Sequence, residues 1–158
     1  MKKAVFGALV LLAGLSLAQQ ADYRMEARAA GALSRLERVA ERAGGEEKLL
    51  AWAKEVKARA ERSHEAKAYF RALREAEAAL HLYRAAQKAP WHTPSWRVKE
   101  RAPKAVERAE KALAYYRGQD PLVKDLIAEA KGRLDTEPEH ALLLSRAALA
   151  LISAERGF

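Results

Sequence analysis

Residues 46–88 read EEKLLAWAKEVKARAERSHEAKAYFRALREAEAALHLYRAAQK, and the fold follows from how that stretch is read. It holds neither Gly nor Pro and is crowded with Ala, Leu, Glu, Lys and Arg, the strongest helix formers. Leu49, Ala53, Val56 and Ala60 recur at helical spacing in its first half, and Tyr69, Leu73, Ala76, Leu80 and Tyr83 do so in its second. As one helix it would be about 60 Å long at roughly 1.5 Å per residue. A rod of that length cannot bury its own apolar stripe, so shorter helices must line up along it. Around Arg62-Ser63-His64-Glu65 the stripe loses its large apolar residues, and Ser63 has the chemistry of an N-cap. The segment is therefore either one rod or two helices meeting near Ser63.

Upstream, residues 1–18 have the pattern of an export signal. Lys2 and Lys3 form a positive start, Ala4 to Leu17 an apolar run, and Ser16-Leu17-Ala18 a small-residue cleavage site before Gln19. The run is short for a permanent membrane anchor, which needs about 20 apolar residues. Localisation is thus expected to be periplasmic or secreted, with 19–158 as a single helical domain. From Asp22, placed as an N-cap, to Ala43 runs an amphipathic helix with Ala29, Leu33, Leu36 and Ala40 on one face. Gly44-Gly45 ends it, and so short a link predicts that it and the next helix are antiparallel neighbours.

Downstream, Pro90-Trp91-His92-Thr93-Pro94-Ser95-Trp96 breaks the helical pattern, and a helix is expected to resume near Ala102-Pro103 with Pro in its first turn. Val106, Ala109, Leu113 and Tyr116 are its stripe, and Gly118 its stop. Asp120-Pro121 opens a fourth helix to Leu134 with the spacing of an N-cap followed by Pro at the first position. Thr136-Glu137-Pro138-Glu139 is spaced as a capping box for the last, from Pro138 to Glu155. That helix is apolar on nearly every side, which places it centrally. The expected fold is all-α, an antiparallel helical bundle of about five helices with 46–88 as its long central helix, either unbroken or broken near Ser63.

Ala76 to Arg84 is echoed 33 residues later by Ala109 to Arg117, and more faintly by Ser145 to Ile152. A period near 34 is that of tetratricopeptide-like hairpins. The Trp-Leu-Gly-Tyr set of that repeat is missing, however, and the first interval holds the Trp/Pro loop instead of a partner helix. Against the small periplasmic four-helix b-type cytochromes, Met25 falls where their Met ligand lies, but His140 stands at the wrong end of the last helix to face it.

The formal charge is +8, or +6 once Lys2 and Lys3 leave with the signal. Acids are interleaved with the bases nearly everywhere, so most charges are read as solvated helix pairs. Cys and Asn are absent and Arg outnumbers Lys, 17 to 12, a balance that fits a heat-adapted source. His64, His81, His92 and His140 form no metal-ligand spacing, and no phosphate loop or nucleophile elbow is present. No catalytic residue, metal or cofactor is expected. The one stretch with chemical character is Trp91 to Lys104, where Trp91, His92 and Trp96 adjoin Arg97, Lys99, Arg101 and Lys104. Aromatic planes beside cations stack on bases or sugars while neutralising anions. The chain thus reads as an exported, non-catalytic interaction or scaffold module of the bacterial cell envelope, with a protein partner or self-association. The alternative is a binder of anionic polymer, DNA or acidic cell-wall material, through loop 91–104.

Overall fold

The computed structural model describes residues 2–87 and 96–158, with side chains from Asp22 onward. It is an all-α bundle with six helices among the described residues: α1 (Lys2–Glu41), α2 (Glu47–Glu65), α3 (Tyr69–Ala86), α4 (Trp96–Tyr115), α5 (Pro121–Arg133) and α6 (Pro138–Arg156).

The stretch 46–88 is not a single rod. It folds into the hairpin α2–α3, and the two helices pack along each other more extensively than any other pair. The break comes at Ala66–Ala68, three residues past Ser63. There Lys67 adopts a left-handed conformation with φ 62°. Its N–H donates to the His64 carbonyl at 3.0 Å and that of Ala68 to the Ser63 carbonyl at 2.9 Å. This is the termination chemistry that helices usually give to Gly, here carried by a lysine. Ser63 does not cap a new helix. It lies in the last turns of α2 and its hydroxyl donates across the hairpin to Glu75, the most deeply buried carboxylate described. The apolar positions read from sequence hold: Leu49, Ala53, Val56 and Ala60 are all fully buried, as are Ala76 and Tyr83 to within 2%.

The longest helix is instead α1, which runs through Asp22 without interruption, so Asp22 starts nothing. Despite the short link to α2, α1 packs chiefly against α3. Gly45 explains the route. With φ 121° it brings the chain against the end of α3, where the Glu46 N–H donates to the Ala86 carbonyl at 2.8 Å. A Cβ at Gly45 would stand 1.6 Å from that same oxygen.

The second half repeats the plan of the first. α4 packs on α6 far more than on α5, α5 and α6 form a hairpin, and α6 lies against α3 to join the halves. Equivalent positions in α3 and α6 are 69 residues apart: Leu73 with Leu142, Ala79 with Ala148, Leu80 with Leu149, Leu82 with Leu151. The faint echo at Ser145 to Ile152 is therefore the structurally meaningful one. The stronger echo, 33 residues apart, relates α3 to α4, which hold different places in the bundle.

Three helix ends differ from expectation. α4 starts at Trp96, so Pro103 lies inside it rather than in its first turn. Its left-handed stop is Arg117, φ 51°, with Gly118 after it donating to the Leu113 carbonyl at 3.0 Å. α6 begins without a side-chain cap, so Thr136 and Glu139 do not act as a capping box. Asp120 does cap α5, accepting from the Leu122 N–H at 3.0 Å, and also receives Arg59 from α2 at 2.6 Å. At the far end of α5, Arg133 bonds Glu46 and Glu129, and its hydrogen bonds hold the Glu46 carboxyl below the usual range. Ion pairs at both ends thus fasten α5 to α2.

Two substitutions should act with opposite sign. Gly45→Ala must push the chain off Ala86 and should cost about 2–4 kcal/mol in denaturant unfolding. Lys67→Gly relieves a left-handed lysine at an exposed turn and should add about 1 kcal/mol by the same measurement.

Candidate functional site

Helix α4 is an outer helix of the bundle: Ala102, Val106 and Ala109 are the buried residues among its 20. What it turns outward is strongly patterned. Arg97, Arg101, Lys104, Arg108, Lys111 and Tyr115 follow one another at spacings of four, three, four, three and four. At 100° per residue they fall within about 40° of a single line down the helix. The five cations span about 21 Å at roughly 1.5 Å per residue.

Beside this stripe, α6 contributes Leu142, Arg146 and Leu149, one turn apart on the face that meets α4. Arg101, Lys104, Ala105, Arg108 and these three enclose a hollow of about 310 Å³. The leucines are half-buried and form its floor, while the cations are exposed at its rim. A second hollow, of about 480 Å³, adjoins it along α4 and ends at Tyr115 and Tyr116. Lys104 and Arg108 border both, so the two make one continuous basic surface.

The acids nearby neutralise the lysines. Glu100 pairs with Lys104 at 3.5 Å and Glu107 with Lys111 at 2.7 Å. Arg101, Arg108 and Arg146 have no acidic partner within ion-pair distance among the described residues. Arginine's planar fork matches carboxylate and phosphate oxygens two at a time. Three such forks around one hollow repel one another, and a bound anion would remove that repulsion.

Aromatic side chains stand at both ends. Trp96 is 69% exposed, and the Arg97 guanidinium lies 5.5 Å from its ring centre. Tyr115 is 80% exposed and meets Tyr116 edge-on, with ring centres 4.8 Å apart. Tyr116 is fixed from behind: Phe158 stacks on it at 4.9 Å, and Arg156 donates to its carbonyl.

Of the residues singled out from sequence, Arg101 and Lys104 line the hollow. Arg97 lies on the stripe one turn before Arg101, with Trp96 beside it, and neither lines the hollow. Lys99 is exposed on another side of α4, away from the stripe. Trp91 and His92 lie outside the described residues. Sequence reasoning misses Arg108, Lys111 and Tyr115, although their spacing is visible there, because it starts the helix at Ala102 instead of Trp96. Arg146, Leu142 and Leu149 carry no such signal; only the packing of α6 on α4 brings them there.

Among the described residues no histidine lines this surface. His64 packs edge-on against Tyr69 at 5.5 Å in the α2–α3 hairpin, and His140 lies 3.1 Å from Glu137. His81, half-buried on α3, is held below the ordinary histidine range by burial first and then by Arg146 and Arg84, with Glu77 opposing. Among the described residues no three His, Asp or Glu side chains are grouped to hold a metal ion. No family model, no curated protein and no solved structure matches the chain.

The depressed His81 pKa has a definite sign. The unfolded chain takes up this proton near 6.5 while the folded one resists, so stability should fall as pH drops through that value. Urea unfolding followed from pH 7.5 to 5.5 should show this loss, and His81→Gln should flatten the profile.

Proposed function

We propose that the protein is an exported, non-catalytic helical module of the cell envelope that holds an anionic polymer on the basic face of α4. The leader at residues 1–18, removed after Ala18, is part of this reading and rests on its charge and hydropathy pattern. The observation that carries the binding role is the set of three arginines, Arg101, Arg108 and Arg146, converging without acidic partners on one leucine-floored hollow.

The internal likeness of the two halves supports it. The α3 position equivalent to Arg146 is Glu77, which pairs with Arg74 at 2.8 Å. The same architecture therefore accepts an acid there, and packing does not require Arg146. Elsewhere some bases are engaged, as Arg59 and Arg133 are with Asp120 and Glu46. Arg35, Arg38 and Arg42 of α1 border another hollow without ion pairs among the described residues, but Glu41 lines it with them and no leucine does. A protein-docking face is less well supported. Trp96 and Tyr115, two of the exposed large apolar side chains, stand about 28 Å apart along α4 at roughly 1.5 Å per residue.

Retention on heparin should decline with salt in the manner of counterion release. Arg101→Ala/Arg108→Ala/Arg146→Ala should elute at clearly lower salt, and the slope of log affinity against log salt should shrink by about 2–3. A control removing Arg24, Arg28 and Arg35 from α1 should change retention much less. Equal elution of the groove variant and the unaltered protein would remove this function.

A further inference from the structure

We infer that the polymer suited to this face is single-stranded nucleic acid, an assignment that rests on reading α4 as an anion-binding surface. Charge alone would serve a duplex, a sulfated glycan or a polyuronate equally well. What separates these ligands is the company the charges keep.

The stripe and its ends combine two kinds of chemistry. Cations run down one line that Tyr115, set against Tyr116, closes at one end, and Trp96 stands beside Arg97 at the other, about 100° round the helix from that line. A duplex keeps its bases stacked inside, so it presents phosphates to such a face and nothing to the rings. An unpaired strand offers phosphates to the arginines and base faces to Trp96 and Tyr115 in the same extended run. The floor points the same way. Leu142, Leu149 and Ala105 give the hollow an apolar base beneath its charged rim. A planar base fills such a space, and a hydrated glycan hydroxyl surface does not. The 310 Å³ hollow is of small-molecule size, suited to one splayed base rather than to a rigid double helix. Recognition by stacking is tolerant of sequence, because every base has a π-face, and the site carries no fixed array of amide groups to read base edges.

The two ends also match the length of a short strand. Trp96 and Tyr115 are separated by about 28 Å at roughly 1.5 Å per residue. That distance falls within the few to a dozen nucleotides that single-strand-binding surfaces commonly cover. Three arginines and two lysines lie between them, two of the five being partly neutralised by Glu100 and Glu107.

The experiment uses the purified protein, a fluorescein-labelled oligo(dT) of about 20 nucleotides for anisotropy, and a heparin column in parallel. Unlabelled oligo(dT) should displace the probe better than a duplex, heparin or polygalacturonate supplied at equal total charge. Trp96→Ala/Tyr115→Ala removes two exposed rings, leaving the core untouched. It should weaken oligo(dT) binding by about fivefold or more and leave heparin retention unchanged. The triple arginine variant should lose both. Oligo(dT) affinity equal in the ring variant and the unaltered protein would overturn the single-strand assignment, as would stronger displacement by duplex or polygalacturonate. If heparin retention still depends on the three arginines in that case, the anionic reading stands alone; if it does not, both fall.

Discussion

The seam between α3 and α6 is the constraint on which the rest of this structure depends. α3 buries 10 of its 18 residues and α6 buries 12 of its 19. Half of those are alanine: Ala72, Ala76, Ala78, Ala79, Ala85 and Ala86 on one, Ala141, Ala147, Ala148, Ala150 and Ala154 on the other. Small side chains let helix backbones approach closely, so the seam is held by dense dispersion attraction, weak atom by atom and large along its whole length. Leu82, Tyr83, Leu144 and Leu151 fill what the alanines leave. α3 is covered also by α1 and α2, and α6 by α4 and α5, so each half adds one hairpin partner and one outer helix around this seam.

The outer helices, α1 and α4, occupy equivalent places but meet different demands. α1 lies against α3 over Ala29, Ala32 and Leu36, its course set by the close passage at Gly45. α4 likewise buries three residues, carries Pro103 within its length, and turns a charged line outward. A helix held by three small or β-branched residues is free to vary on its remaining surface. That freedom leaves room for the proposed binding face without disturbing the core. The C-terminus supports the arrangement, with Gly157 at φ 81° ending α6 and Phe158 laid against Tyr116.

Charge plays two separate roles in the molecule. Around α5 it is structural. Arg133, 13% exposed at its side chain, is engaged by Glu46 and Glu129, and Arg59 by Asp120, in partly buried pairs that fasten α5 to a helix it otherwise barely touches. Breaking a pair of this kind strands a desolvated charge, so it acts as a positional constraint more than as a source of net stability. Along α4 and Arg146 the cations are exposed, partly unpaired and outside any packing need. The same residue type thus serves as a fastener where carboxylates surround it, and lies open on the proposed binding face where they do not.

The sequence by itself determined the helical class, the apolar stripes of α2 and α3, the Asp120 cap of α5, the central place of α6 and the basic character of the segment after Trp96. Each follows from local rules, because periodicity and capping are properties of a few consecutive residues. The tertiary structure decided the rest. It placed the break of 46–88 at Lys67, since a left-handed lysine is tolerated only where the hairpin's packing compensates for it. It also decided that α1 seats on α3, because no local pattern reveals the 1.6 Å conflict a side chain at Gly45 would meet. And it decided the site. Arg101 and Arg146 are 45 positions apart in sequence, and their meeting over Leu142 and Leu149 comes from two helices lying side by side, which no spacing within either one encodes.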